Sequence, residues 1–429
     1  MIALRKFLFG AAVLAFVALL GGLWAGNPAI WQPAALVFAV GLAMGMGGIP
    51  ALKGYQYTAW IMAAVVAAML YPASFLHWGS FDLRNKWLIL LVIQTVMFGM
   101  GTQMSLRDFA GIVKTPRGVI VGIVCHFSVM PLVGYALTKI FHFEPEIAAG
   151  IILIGSCSSG LASNVMAFIA RSNLVLSVTV TAITTLVAPL ATPLLMKLLA
   201  GTLVEVKFFT MMAEIVKMVI VPIGAALLHD YLKTATPAAR RRVNIATICC
   251  AVSVILIFSP FSTARTSAPN PAVSTLVELV GFLCGAVVIG NLYHRLTRIL
   301  PKLDGLMPVF SMAGIVYFTT VTTAAGRDNL LKVGGLLFLA AVIHNAAGYF
   351  FGYWLSRASG LDKNSARSVA FEVGLQNGGM ASGLAGGMGK LATVGLAPAI
   401  FSPWMNISGS ILANYWRRRP DPAVKDAPR

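Results

Sequence analysis

About fourteen apolar windows of roughly 20 residues follow one another along this chain, and they leave it few ways to fold. Their approximate limits are 7–25, 34–50, 57–76, 86–104, 118–138, 147–170, 174–199, 208–229, 244–261, 272–293, 306–325, 333–355, 368–388 and 392–416. With 58% hydrophobic residues and 11% charged, the chain holds more apolar surface than a soluble core can bury. In lipid only helices and closed barrels satisfy the backbone, and windows of this length predict helices. The expected class is therefore an all-α polytopic membrane protein.

The net charge of +18 would point to nucleic acid in a soluble chain, but here the basic residues flank apolar spans, so no nucleic-acid partner is expected. With the N-terminus placed in the cytoplasm, about 22 Lys and Arg fall on that side and about 9 on the other, with Lys217 inside a span. Both termini and the Ala239-Arg-Arg-Arg242 loop are then cytoplasmic, in a cell inner or plasma membrane. The first apolar run is read as a retained helix, because more spans follow it. Cys125, Cys157, Cys249, Cys250 and Cys284 lie in apolar runs without metal spacing and read as packing residues.

Two spans contain the composition of a helix that breaks inside the bilayer. One carries Gly155-Ser-Cys-Ser-Ser-Gly-Leu-Ala-Ser-Asn164. The other carries Glu372-Val-Gly-Leu-Gln-Asn-Gly-Gly379, where a carboxylate is costly unless it faces a cavity or a cation. Each is the fourth member of a five-span set, the first at 57–199 and the second at 208–229 and 306–416. Five is odd, so the second set inserts upside down, which is the inverted-repeat pattern of secondary transporters with sites at the repeat interface. The pairs 7–25/34–50 and 244–261/272–293 lie outside the repeats and read as added scaffold. The expected organisation is residues 1–56 as an N-terminal extra pair, 57–200 as the first repeat and 201–235 as the start of the second. Residues 236–302 form an inserted pair, 303–416 complete the second repeat, and 417–429 form a basic tail.

The polar groups of these spans define a candidate site. Ser177 and Thr181 are four apart and share a helical face. With Ser163, Asn164 and Glu372 they supply hydroxyl, amide and carboxylate oxygens, hard ligands that suit an alkali cation. Single Ser and Thr residues in membrane helices more often serve packing and back-bonding. Asn164 and Glu372 read as functional because a broken helix frees the backbone beside them. Elsewhere, Glu214 and Lys217 are spaced to pair on one helix. Glu278 is expected to face a loop or partner helix, and His344 and Asn345 are expected to bond between helices.

These motifs resemble the bile acid:sodium symporter family. The likeness rests on Ala162-Ser-Asn-Val-Met166, Leu176-Ser-Val-Thr-Val-Thr-Ala182, Phe98-Gly-Met-Gly-Thr-Gln-Met-Ser-Leu-Arg-Asp-Phe109, Phe127-Ser-Val-Met-Pro131 and Phe371-Glu-Val-Gly-Leu-Gln-Asn377, across roughly residues 57–230 and 303–416. The resemblance implies a ten-helix core of panel and core domains in which two broken helices cross. It also implies sodium-coupled uptake of a small organic anion of the bile acid, pantothenate-precursor or 2-oxo acid class. It assigns Ser163, Asn164, Ser177, Thr181 and Glu372 to a first sodium site. Glu372, Gln376 and the carbonyls of Val373 and Leu375 fall in a second, so one or two sodium ions are expected. His126 stands where relatives commonly place Gln in that second site. Asn164, Asn377 and Leu161 fall beside the substrate, Leu161 where many relatives have Thr. A cation/proton antiporter on a similar scaffold is the alternative. No paired Asp motif, His-Glu-x-x-His or Gly-x-Ser-x-Gly points to an enzyme.

Overall fold

The computed structural model describes residues 2–49, 56–259 and 271–419. Lys53, Arg265, Lys425 and Arg429, counted above for sidedness, lie outside the described residues, as does the tail beyond Arg419. The chain is a succession of helices: α1 Ile2–Trp24, α2 Pro28–Met46, α3 Gln56–Leu70, α4 Lys86–Gly101, α5 Pro116–Phe141, α6 Pro145–Ser156, α7 Ala162–Ile169 and α8 Leu174–Ala200. There follow α9 Phe208–Thr234, α10 Pro237–Phe258, α11 Pro271–Ile299, α12 Leu303–Ala325, α13 Arg327–Ala358, α14 Lys363–Gly374, α15 Gly378–Gly387 and α16 Leu396–Arg417. A two-residue antiparallel hairpin, His77–Trp78 with Phe81–Asp82, joins α3 to α4.

Among the described residues nine helices are each long and apolar enough to cross a membrane. Among the described residues the shorter α3 and α4, the broken pairs α6/α7 and α14/α15, and α16 occupy the other five apolar windows, so each window holds a helix or a broken pair. Local signals set their ends. Proline stands in the first turn of α2, α5, α6 and α10, where its missing N–H costs nothing. Asn85, Asn173 and Asp362 cap α4, α8 and α14 through their side-chain oxygens.

The helices sort into a wall and a core. The wall is α3, α4, α9 and α12, with α1 and α2 extending it beside α3, and α10 and α11 extending it beside α9. The core is α5–α8 with α13–α16, and α13, α14 and α5 pack together at its centre. Thus α3–α8 form one five-span set, and α9 with α12–α16 form the second. The two extra helix pairs lie outside both.

One wall helix departs from regularity. Residues Val216–Ile220 of α9 form a π turn, just before Pro222. Proline offers no N–H to the preceding turn, which loosens the ladder there. The carbonyl of Lys217 is taken instead by Gln94 Nε2 at 3.1 Å. In the core, α6 ends at Cys157 in an extended conformation, and α14 ends at Leu375 in another. The serine run at 156–159 competes for its own backbone, as Ser156 Oγ does by donating to Ile152 O at 2.8 Å.

Candidate functional site: the crossing of two broken helices

The two breaks meet. Ser159 and Gln376 form a single antiparallel bridge. Gly160 N donates to Leu375 O at 3.0 Å, and Asn377 N donates to Ser158 O at 2.8 Å. Strand-like pairing of two short unwound segments solves the problem a break creates, because freed amides and carbonyls pair with one another in the bilayer. Gly160 is required for it: a Cβ there would stand 2.7 Å from Gln376 O. The arrangement is held from behind by Asn345, whose Nδ2 donates to Gly374 O at 2.8 Å while its Oδ1 accepts from Ser408 Oγ at 2.5 Å. His344 Nε2 faces Met130 O at 2.8 Å. Both residues thus bond between helices, as their positions in the sequence predict. The close service Asn345 gives to the last carbonyl of α14 is not readable from sequence, because nothing local links residues 345 and 374.

Glu372 is fully buried on α14 and faces α8. Ser177 Oγ donates to its Oε1 at 2.5 Å, and Thr181 Oγ1 donates to its Oε2 at 2.7 Å. The same two hydroxyls stand 2.9 and 3.2 Å from Asn164 Oδ1, and Ser163 Oγ lies 3.3 Å from Thr181 Oγ1. The five residues assigned to a first sodium site are therefore one contiguous cluster drawn from α7, α8 and α14. Its chemistry is unbalanced. Ser177 and Thr181 each have one proton to give, and each stands within reach of two acceptors, a carboxylate oxygen and the Asn164 amide oxygen. Among the described residues no ion pair includes Glu372. A buried carboxylate with surplus oxygen lone pairs and no basic partner fits a desolvated alkali cation.

The residues assigned to a second site also converge, but their groups are more fully engaged. Val373 O accepts from Gln376 Nε2 at 2.7 Å. Leu375 O accepts from Ser159 Oγ at 3.3 Å as well as from Gly160 N. His126 is buried between the two broken spans, with Nδ1 2.9 Å from Glu372 O and Nε2 2.8 Å from Cys157 O. Its ring bridges α14 to the end of α6. Gln376 Oε1 has no partner and is enclosed, so one oxygen of this set stands open to a ligand.

The three residues expected beside substrate are placed differently from one another. Asn377 is buried and caps α15, accepting from Met380 N at 3.0 Å and donating to Ser158 Oγ at 3.4 Å. Asn164 and Leu161 are half-buried at the start of α7, which has no side-chain cap. A cavity of about 310 Å³ opens further along α15, walled by Met211, Glu214 and Met218 of α9 and by Leu384, Gly387 and Met388 of the core. That volume suits a small molecule. It lies between wall and core, where a carrier must admit its substrate.

Other charged groups are structural partners. Lys217 reaches Glu214 at 2.6 Å and Glu278 at 3.2 Å. Glu278 thus faces a partner helix, and it fastens α11 to α9.

Crossed broken spans, each fourth in a five-span set, with a hard-oxygen cluster at the crossing, define a secondary transporter. The family model described as the sodium bile acid symporter family matches residues 89–268. The uncharacterized sodium-dependent transporter YocS of Bacillus subtilis is 30% identical over 367 residues, covering 85% of this chain and 92% of its own length. A probable chloroplastic sodium/metabolite cotransporter of Arabidopsis thaliana, BASS1, is 28% identical, covering 86% of this chain and 74% of its own. The human ileal sodium/bile acid cotransporter is 27% identical, covering 67% of this chain and 65% of its own. The chain belongs to the sodium bile acid symporter family. It is a multi-pass membrane protein of a sodium-dependent transporter family, and not an enzyme.

Proposed function

We propose that this protein is a sodium-coupled symporter that carries a small organic anion across the cell membrane by alternating access. The observation that carries the reading is the Glu372 carboxylate, buried and held only by hydroxyls, with Asn164 Oδ1 beside it. Sodium at that cluster neutralises Glu372 and joins α7, α8 and α14 through shared ligands. Asn164 lies in the first turn of α7, and a helix N-terminus favours a carboxylate. Ordering α7 for sodium therefore also prepares it for the anion, and the linkage is reciprocal. The cavity between α9 and α15 is the route by which the anion reaches the crossing. Its methionine and leucine wall, with Lys207 and Lys390 as well as Glu205 and Glu214 around it, suits an amphipathic molecule with a charged end, and methionine adapts to varied shapes. Two matched relatives are named for bile acid and for metabolite cotransport, which supports the organic-anion class.

Exchange of a cation for protons is less well supported, because Glu372 is the one fully buried acid among the described residues. The experiment is to measure thermal stabilisation of the purified protein by a panel of carboxylates in sodium and in potassium. Uptake of the best carboxylate into vesicles follows. It is expected to require an inward sodium gradient. Equal uptake in sodium-free buffer under a proton gradient alone overturns the coupling.

A further inference from the structure

At one end of the inserted helix pair lies a polar cluster that transport leaves unused. His229 and Lys233 come from α9, Arg240 from α10, Tyr293, His294 and Arg298 from α11, and Asp304 from α12. Asp304 organises one half. It accepts from Tyr293 Oη at 2.8 Å, from Lys233 Nζ at 3.1 Å and from His229 Nε2 at 3.3 Å. In the other half Arg240 Nη2 donates to Lys233 O at 3.3 Å, but several polar nitrogens have no partner, and each neutral imidazole among them offers one N–H and one lone pair. His229 Nδ1, both ring nitrogens of His294 and Arg240 Nε are enclosed without a hydrogen-bond partner. His294 is only 8% exposed, and its ring centroid is 5.4 Å from that of His229. Arg240, Arg298 and Lys233 supply the positive charge around it.

Buried nitrogens without partners are rare. Two N–H donors are left without an acceptor here, Arg240 Nε and one nitrogen of the His294 ring, and with Lys233 and Arg298 beside them the acceptor that suits both is an anion. Its source follows from position. The cluster sits where α9 and α11 end and α10 begins, which is headgroup level for spans of this length. The helix that rises from it, α10, has no buried residue; Ile245, Ile248, Val252 and Ile255 are more than half exposed along it. That is a wall for acyl chains directly above a set of cations.

We propose that the cluster binds the phosphate of an anionic phospholipid. Lys233, Arg240 and Arg298 surround the phosphate, His294 meets it from beneath, and the acyl chains lie along α10. Basic pockets between spans at the membrane surface are suited to such headgroups.

The test uses the full-length protein in mixed micelles of detergent and phosphatidylcholine, with and without phosphatidylglycerol, read by native mass spectrometry for retained lipid and by Tm. The expected result is preferential retention of phosphatidylglycerol. Arg298→Gln and Arg240→Gln should each weaken it by about fivefold, the worth of one basic charge at the surface. His294→Phe, which keeps the volume and removes the nitrogens, should weaken it in the same direction. Arg295→Gln removes a neighbouring exposed charge that donates to Asn244 Oδ1 at 2.9 Å; it should leave retention unchanged. Equal retention of the two lipids by wild type, or an unchanged preference in Arg298→Gln, overturns the proposal. So does inorganic phosphate giving the same stabilisation as phosphatidylglycerol, since the acyl chains would then play no part.

Discussion

At the scale of single residues, the charge on Glu372 should decide whether sodium binds. Replacement by Gln keeps the shape and one oxygen but removes the charge, and charge interactions in a desolvated site are several-fold larger than in water. Glu372→Gln is expected to abolish both sodium-dependent uptake and sodium-induced thermal stabilisation, while the protein still inserts. Glu278→Gln is the control: Lys217 keeps Glu214 at 2.6 Å, so sodium-driven uptake should persist. Wild-type uptake in Glu372→Gln would sink the site. The hydroxyls should show smaller effects. Ser177→Ala and Thr181→Ala each delete one bond to a charged group, worth about 1.5–3 kcal/mol, so the sodium concentration for half-maximal uptake should rise tenfold or more. Ser177, Thr181 and Glu372 were legible in sequence because helical spacing and a carboxylate in an apolar span are local facts. The bridging of His126 between Cys157 O and Glu372 O was not. It ties His126 to carbonyls 31 and 246 positions away in sequence, and so depends on where the two breaks come to rest.

At the scale of elements, the crossing is the least tolerant part of the fold. Gly160→Ala places a methyl 2.7 Å from Gln376 O and 3.2 Å from the same carbonyl carbon. Both are backbone atoms and cannot rotate away, so the crossing must separate. The expected outcome is loss of sodium stabilisation and a stability cost of about 1–3 kcal/mol, measured by thermal unfolding. Asn345→Ala acts from behind by leaving Gly374 O buried without its donor, at a cost of about 1–3 kcal/mol. A Tm equal to wild type in both variants would show that the breaks do not support each other. The broken spans themselves were readable, since Gly and Ser cluster where a helix cannot continue. The π turn of α9 was not. One proline inside an apolar window is compatible with a kink, a bulge or a regular helix, and packing against Gln94 selects among them. The length of α13 is likewise not set by its apolar window. Its 32 residues extend about 48 Å, because the polar stretch Arg327–Lys332 continues the helix beyond the apolar window.

For the whole molecule, parity links the helix count to sidedness. Fourteen spans return the chain to the side it started from, and each extra pair is even, so removing a pair leaves the orientation of the rest unchanged. Charge then assigns the side, because basic loops resist translocation. Arg107 and Lys114 between α4 and α5, Arg117 in the first turn of α5, and Arg240, Arg241 and Arg242 at the start of α10, fall on the same side as Arg417 and Arg418. The prediction is that residues 107–117, residue 240 and the end of α16 face the cytoplasm. Single cysteines placed there on a cysteine-free background should resist an impermeant thiol reagent in intact cells and react once the membrane is opened. A cysteine at the α3–α4 hairpin, at exposed Trp78, should label in intact cells. The two arms constrain each other. If residues 240 and 78 both label from outside, an even number of spans separates them instead of five, and the fourteen-span arrangement fails. If 240 alone labels and 78 is closed, the span count stands but the orientation is reversed. The sodium site would then open first to the cytoplasm, and the direction of the gradient that drives uptake would have to be read the other way.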